Sequence, residues 1–299
     1  MDDGILNLDK PRGPTSHDLV ERVRTLTGVR QVGHAGTLDP LATGVLLVCV
    51  GRATRLAEYL MTGRKVYRAT LRLGVVTDTY DAEGTVVAEF PVRVGRAEVE
   101  GALAHFHGPL EQRPPAYSAV KHAGTPLYKY ARRGIEAPRS SRRVEVYDLR
   151  LVEWQPPDCV LEVTCSPGTY VRALAHDLGQ TLGCGAHLTA LVRLASGDFR
   201  LEDALSLPEL EQAVQQGRWR ALLWPPDRAL ARFPALHLNA EAARRLCTGQ
   251  AVAVPGALPA PQPDDGEPLA RAYGPDGAFL AVVAYDAACG LWRPSKVFC

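Results

Sequence analysis

The sequence predicts an α+β fold built on a largely antiparallel mixed sheet. Strand-like and helix-like stretches are mixed without the regular strand–helix–strand alternation of a parallel sheet. Several strand signals follow one another directly. From Leu230–Pro234 onward the chain changes character, to short strands around one helix. A hydrophobic content of 46% and a charged content of 22% are those of an ordinary globular chain, and no apolar run approaches the ~20 residues of a membrane span. A chain of 299 residues is expected to form one large domain, 1–231, and a small one, 232–299.

Residues 4–8 read as a short strand, ended by Lys10-Pro-Arg-Gly-Pro14. A helix over Ser16–Thr27 follows: Thr15 and Asp18 have capping-box spacing, Leu19, Val23 and Leu26 form an apolar stripe, and Gly28 is a natural stop. The next stretch, Gly33 to Gly44, is too rich in Gly, Thr and Pro for helix or strand. Beyond it come a buried-type strand, Val45–Val50, and a helix near Ala53–Met61. Lys65–Leu73 alternates, with Tyr67, Ala69, Leu71 and Leu73 on one face and Arg68, Thr70 and Arg72 on the other. Asp81-Ala-Glu-Gly84 reads as a turn and Arg96–His107 as a helix. Val144–Trp154 and Cys159–Cys165 alternate like strands, and Pro167-Gly-Thr169 turns into a helix over Tyr170–Leu182. The last stretch holds a helix over Ala240–Leu246 and a Pro/Asp-rich loop, Pro255–Pro268.

Three features carry chemistry. Asp39 is the one carboxylate in the Gly33–Gly44 loop, immediately before a rigid strand; loops on rigid scaffolds carry catalytic groups, although Asp-Pro is also an ordinary turn starter. Arg172 falls in the first turn of a helix, where the dipole disfavours a cation, so a carboxylate or phosphate partner is expected. Between Lys121 and Arg143 seven basic residues face one acid, Glu136, with tyrosines interleaved, a composition suited to RNA backbone and bases and equally to a solvated basic loop. The seven scattered cysteines contain no Cys-x-x-Cys pair and are expected to be reduced thiols, with Cys159 and Cys165 packing inside a strand. The acidic start Met1-Asp2-Asp3-Gly4 lacks the pattern of a signal peptide, so a cytoplasmic location is expected. No phosphate-loop, dinucleotide or metal fingerprint occurs.

Taken together the motifs resemble those of the bacterial tRNA pseudouridine-55 synthases. The resemblance runs through Lys10-Pro-Arg-Gly-Pro-Thr-Ser16, Gly33-His34 to Asp39-Pro40 and Gly44, Lys65-Val-Tyr67, Arg113-Pro-Pro-Ala-Tyr-Ser-Ala-Val-Lys121, Arg143-Val-Glu-Val-Tyr147, Cys165-Ser-Pro-Gly-Thr-Tyr-Val-Arg172, Gly185-Ala-His-Leu188 and Leu191-Val-Arg193-Leu194. Trp292 to Phe298 resembles the end of the small RNA-binding domain shared with archaeosine transglycosylases, a PUA-like domain. Pro167 departs from the basic or polar residue expected there.

The resemblance implies isomerisation of one uridine in the tRNA T-loop, without cofactor or metal, by a protein that binds the T stem-loop; no coiled-coil heptad suggests self-association, so a monomer is expected. It implies catalytic roles for Asp39, Arg172 as its ionic partner, and Tyr67, whose ring would stack on the uracil and whose hydroxyl is a candidate base. It implies that His34 fills the gap left by the flipped base, that Val66 and Leu191 wall the pocket, and that Lys10, Arg132, Arg133, Arg142 and Arg143 contact RNA, the last four from an insertion at 121–143. Two other functions share some of these features: a tRNA-folding factor in which catalysis is secondary, and a small-molecule glycosidase using the same carboxylate.

Overall fold

Alternating burial organises the chain around a nine-stranded sheet in the computed structural model, which describes residues 2–256 and 267–299. The strands of the first 200 residues are β1 (Gly4–Lys10), β2 (Val32–His34), β3 (Ala42–Val50), β4 (Lys65–Leu73), β5 (Val75–Thr77), β6 (Val86–Glu89), β7 (Gly108–Gln112), β8 (Lys121–His122), β9 (Thr125–Pro126), β10 (Arg142–Gln155), β11 (Asp158–Cys165), β12 (Ala186–Ser196) and β13 (Phe199–Arg200). A second sheet holds β14 (Ala235–His237), β15 (Leu269–Tyr273), β16 (Phe279–Asp286) and β17 (Leu291–Val297). The helices are α1 (Ser16–Thr27), α2 (Ala57–Met61), α3 (Arg96–Leu103), α4 (Leu127–Ala131), α5 (Val171–Thr181), α6 (Leu207–Gln215) and α7 (Ala240–Cys247).

The large sheet runs β1-β3-β12-β4-β11-β10-β7, with β2 on β3 and β13 on β12. All of its pairings are antiparallel except β3 with β12, which is the mixed, largely antiparallel sheet expected. Register does the work of assembly. Tyr67 on β4 sits opposite Arg193 on β12, and Leu191 on β12 sits opposite both Ala69 on β4 and Ala42 on β3. The start of β3, directly after Asp39, is thereby drawn against the strand that faces Tyr67. One face of the sheet packs Tyr67, Ala69, Leu71, Val163 and Leu191 against Leu174 and Leu178 of α5. The other packs Leu6, Leu8, Leu46 and Val48 against Leu19, Val20 and Val23 of α1. Each such leucine or valine stabilises the fold by about 1.5–3 kcal/mol, which is what fixes the register.

Local signals set the ends of α1 as the sequence indicates. The Thr15 hydroxyl accepts from the Asp18 N–H while the Asp18 carboxylate accepts from the Thr15 N–H, and Gly28 takes the left-handed conformation at φ 72°. Two expected helices are shorter than read. The one near Ala53–Met61 opens as a 3-10 turn, Gly51–Leu56, and the one over Arg96–His107 ends as a 3-10 turn, Ala104–Phe106, before Gly108 at φ 81° turns the chain into β7. In the second sheet β14 pairs in parallel with β15 and the rest are antiparallel; Leu246 of α7 packs on Ala270, Val283 and Trp292. Val282 and Phe298 also join Ile5, Leu47 and Leu230 in a core shared between the two sheets. Most of the expected Pro255–Pro268 loop lies outside the described residues.

The cysteine expectation needs one correction. Cys247 and Cys299 form a disulfide with Cα atoms 5.7 Å apart, because the end of α7 and the residues after β17 meet across 52 positions of sequence. No local spacing signals such a pair. Cys159 and Cys165 are free, buried and packed in the core, as read from the sequence.

Candidate active site

The loop between β2 and β3 is held by side chains that reach its backbone from three directions. Ser16, in the first turn of α1, both accepts from the Leu38 N–H (2.8 Å) and donates to the Leu38 carbonyl (3.0 Å). Lys10 Nζ donates to the carbonyls of Pro11, Pro40 and Ala42 at 3.0, 3.3 and 2.7 Å. Arg193 donates from Nε to Val45 O (2.6 Å) and from Nη2 to Gly36 O (3.1 Å). Gly44, at φ 95°, admits this approach: a Cβ there would stand 2.4 Å from the Arg193 carbonyl. Two buried cations, Lys10 and Arg193, thus bracket Asp39 in sequence and fix the peptide units on either side of it.

Asp39 Oδ2 lies 2.9 Å from Arg172 Nη2. The anion expected for this first-turn arginine is therefore present twice, because Arg172 Nη1 also lies 3.0 Å from Asp81 Oδ2. Asp81 is 3% exposed, although the sequence pattern marks it only as a turn residue. The turn is real, but it is stitched to β12 through Ala82 N to Leu188 O (2.9 Å) and Leu188 N to Tyr80 O (3.0 Å), which aims the Asp81 carboxylate inward. Thr79 Oγ1 (2.6 Å) and the Glu83 N–H (3.1 Å) donate to its other oxygen. Arg172 further donates to the carbonyls of Thr79 and Tyr117, so a segment between β7 and β10 touches the same guanidinium.

A cavity of about 290 Å³ opens over this ion pair, at the lower end of small-molecule sites, which run about 300–1,000 Å³. Asp39, Tyr67, Arg142, Arg172, Leu191 and Arg193 line it. Burial pushes the Asp39 carboxyl above its ordinary value; Arg172 pulls it back and Asp81 pushes it up again. Burial likewise raises the Tyr67 phenol, against the opposing pull of the Arg193 guanidinium beside its hydroxyl, so Tyr67 keeps its proton at neutral pH. Lys65, another lining residue, donates to Leu60 O and Ser196 Oγ and is lowered to about 7 by burial. Among the described residues no cluster of three or more His, Cys, Asp or Glu is placed to hold a metal ion, and no helix is long and apolar enough to cross a membrane.

The structure gathers Asp39, Tyr67, Arg172, Leu191 and Arg142 around one cavity and leaves the other expected residues outside it. Val66 does not line the cavity: the two-residue period of β4 puts Lys65 and Tyr67 on its face and turns Val66 to the opposite one. Lys10 is fully buried and spends its ammonium on three carbonyls, which removes it from any RNA-facing surface. Its charge is carried uneasily there, lowered to about 8 by burial although Asp39 opposes the shift. His34, half-buried on β2, lies outside the lining, with Nδ1 buried and, among the described residues, unpartnered, and its pKa lowered mainly by burial. Arg132 and Arg133 are exposed just after α4, with Arg132 over the Tyr128 ring at 5.3 Å. Arg142 and Arg143 belong to the start of β10 rather than to an irregular insertion; Arg143 is exposed and Arg142 is packed over Tyr170 at 4.4 Å. The sequence pattern does not single out Asp81, Arg193 or Lys65, although an arginine opposing a helix dipole announces that a buried anion is needed.

Comparison with known proteins identifies the family. Residues 24–171 match the model for the TruB family pseudouridylate synthase (N terminal domain), and residues 172–231 match the tRNA pseudouridylate synthase B C-terminal domain. A tRNA pseudouridine synthase B of Thiobacillus denitrificans is 47% identical over 285 residues, 95% of this chain and 93% of the relative. One of Chromohalobacter salexigens is 45% identical over 296 residues, 99% of this chain and 94% of the relative. Among solved structures, a chain of a Cbf5-Nop10-Gar1 complex superposes with a TM-score of 0.76 at 27% identity, covering 99% of this chain and 85% of that one. A chain of an H/ACA RNP bound to a substrate RNA containing 2'-deoxyuridine shares the fold, with a TM-score of 0.77 at 24% identity, covering 100% of this chain and 86% of that one. With relatives nearly half identical along almost its whole length and family matches that run from residue 24 to residue 231, the chain belongs to the TruB family of pseudouridylate synthases.

Proposed function

We propose that the chain isomerises uridine 55 in the T-loop of tRNA to pseudouridine. The N1–C1′ bond breaks, the uracil turns in the cavity, a C5–C1′ bond forms, the C5 hydrogen leaves to solvent and N1 gains a proton. Atoms balance within the nucleotide and water, so the reaction calls for no imported group. The observation that carries this reading is the Asp39–Arg172 pair at 2.9 Å on the floor of a cavity walled by Tyr67 and Leu191. Arg172 opposes the burial that raises Asp39 and so favours the carboxylate, which would attack sugar or ring or act as base at the sugar. Tyr67, still protonated, offers its ring as the stacking surface for the uracil rather than its hydroxyl as a ready base.

The target base must leave a folded loop to reach this cavity, which takes a few kcal/mol of unstacking. His34, held uncharged at neutral pH by burial and outside the cavity lining, is assigned to the gap the base leaves. Arg132, Arg133 and Arg143, exposed, supply backbone contacts to the T stem-loop. Residues 1–231 form the catalytic domain and 232–299 a PUA-like RNA-binding domain, in a monomer acting in the cytoplasm. Tritium at uracil C5 of a T-arm stem-loop provides the test. Wild-type protein should release it to water, and Asp39→Asn and Arg172→Ala should bind the RNA without release; binding with no release by wild type would end the isomerase reading.

A further inference from the structure

Four cations line the cavity, and three of them are committed to acceptors. Lys65 bonds Leu60 O and Ser196 Oγ, Arg172 bonds Asp39 and Asp81, and Arg193 bonds Val45 and Gly36 carbonyls. Arg142 is different. Arg172 leaves only its Nε unbonded, whereas the Arg142 Nε and Nη2 are both buried and, among the described residues, have no acceptor. Beside the same cavity, Ser118 is 4% exposed and its Oγ is likewise buried without a partner. Charged donors removed from water without an acceptor are disfavoured, so their persistence here points to an acceptor that arrives with the substrate.

The surroundings state what kind of acceptor fits. Gln112, opposite Arg142 in the β7–β10 register, fixes the Tyr170 backbone by donating to its carbonyl (2.9 Å) and accepting from its N–H (2.7 Å). The Tyr170 ring therefore lies fixed under the guanidinium. Tyr170 is also the N-cap of the eleven-residue α5 and contributes no side-chain cap, so the first-turn N–H groups of α5 add positive potential next to Arg142. Asp39 is the only carboxylate among the described lining residues, and it is already bonded to Arg172. An arginine fork, a hydroxyl and a helix N-terminus together select an anion, and the one anionic group of a uridine within RNA is its phosphodiester.

We propose that Arg142 and Ser118 form a subsite for a single phosphodiester flanking the flipped uridine, so that the nucleotide is gripped at its phosphate while its base and sugar face Asp39. This rests on the uridine-isomerising function above and gives Arg142 a role separate from the exposed arginines 132, 133 and 143. Those are exposed to solvent and should act additively. Arg142, desolvated and aimed by Tyr170, should act on one phosphate only.

The test pairs RNA and protein changes. T-arm stem-loops tritiated at the target C5 carry a neutral methylphosphonate at the phosphate either 5′ or 3′ of the target, and kcat/KM for tritium release is measured with wild type, Arg142→Met, Arg142→Lys and Ser118→Ala. One of the two replacements should lower the wild-type value roughly tenfold to a hundredfold, the scale of a charge-assisted bond. Arg142→Met should lower it by a similar factor on unmodified RNA and lose little more on that modified RNA, with Arg142→Lys and Ser118→Ala in between. Multiplying losses at both positions, or wild type indifferent to both replacements, would overturn the subsite while leaving the isomerase reading intact. The wild-type comparison does not depend on any variant folding. No release from unmodified RNA by wild type would instead remove the function on which the subsite rests.

Discussion

Arg172 holds Asp81 at 3.0 Å through Nη1 while its other terminal nitrogen holds Asp39, so one buried guanidinium is shared by two carboxylates of which only one lines the cavity. Asp81 is thus a positioning residue: it fixes the plane of the fork that Asp39 meets, and its charge helps to raise the Asp39 carboxyl. The pairing is geometric as well as electrostatic, because a fork held on one side presents its second N–H in a single direction.

Asp81→Asn should therefore change activity in two separable ways. Losing the anchor should lower the single-turnover plateau by up to ~100-fold, the scale of a 1 Å misplacement. Losing the charge should move the acid limb of the pH–rate profile downward, since Asp81 raises Asp39 and its removal lowers it. In wild type that limb should lie above the ordinary carboxylate value of 3.8. A variant limb that stays in place, or rises, would contradict the shared-fork arrangement.

Lys10→Met addresses the loop rather than the RNA. It removes the donor from three carbonyls around Asp39, those of Pro11, Pro40 and Ala42, and should lower unfolding stability by about 1–3 kcal/mol. Turnover should fall with it. The slope of log Kd against log salt for a T-arm stem-loop should be that of wild type, because a fully buried ammonium displaces no counterion; a flattened slope would return Lys10 to the RNA interface.

Lys65→Met predicts a pH signature in stability. The folded-state pKa is lowered to about 7 from 10.5 by burial. Above 10.5 the amine is neutral in both states. As pH falls from there to about 7, the unfolded chain takes up the proton and the folded chain does not, so wild type loses stability across that window and no further below it. The variant should gain on wild type over the same window and hold a constant advantage at lower pH. Denaturant unfolding at several pH values reads this directly, and parallel curves for the two proteins would refute it.

Arg132→Gln with Arg133→Gln should weaken RNA binding and reduce the salt slope by up to ~0.9 for each duplex phosphate that is no longer neutralised. Both side chains are exposed, so little stability should change, and turnover at saturating RNA should match wild type. Filter binding across a salt series separates this from any effect on chemistry.

Much of the site is legible in the sequence because the sheet reads out locally. The alternation of Lys65–Leu73 puts Tyr67 on the buried face, and the Gly33–Gly44 composition marks the loop that carries Asp39. The same alternation already implies that Val66 faces away from Tyr67. What the sequence hides depends on register across long separations: Asp81 and Arg172 are 91 positions apart, and Arg193 reaches Val45 across 148. Lys10 is misleading because the resemblance of its motif implies an RNA contact, while its place at the end of β1 points the ammonium inward. Only the packing of α1 and the loop against β1 shows that it is enclosed. The Cys247–Cys299 pair is hidden for the same reason.

Tyr67, Leu191 and Arg193 stand on β4 and β12, the middle strands of the large sheet, each hydrogen-bonded on both sides, while Arg132 and Arg133 follow the short α4 between β7 and β10. Backbone amide exchange should accordingly run on two clocks: amides of β4 and β12 should exchange only with global unfolding, and those of residues 113–141 by local opening. Within 113–141 Ser118 and Ala119 line the cavity and the Tyr117 carbonyl meets Arg172, so substitutions at the exposed arginines 132 and 133 should leave the groups on β4 and β12 in place.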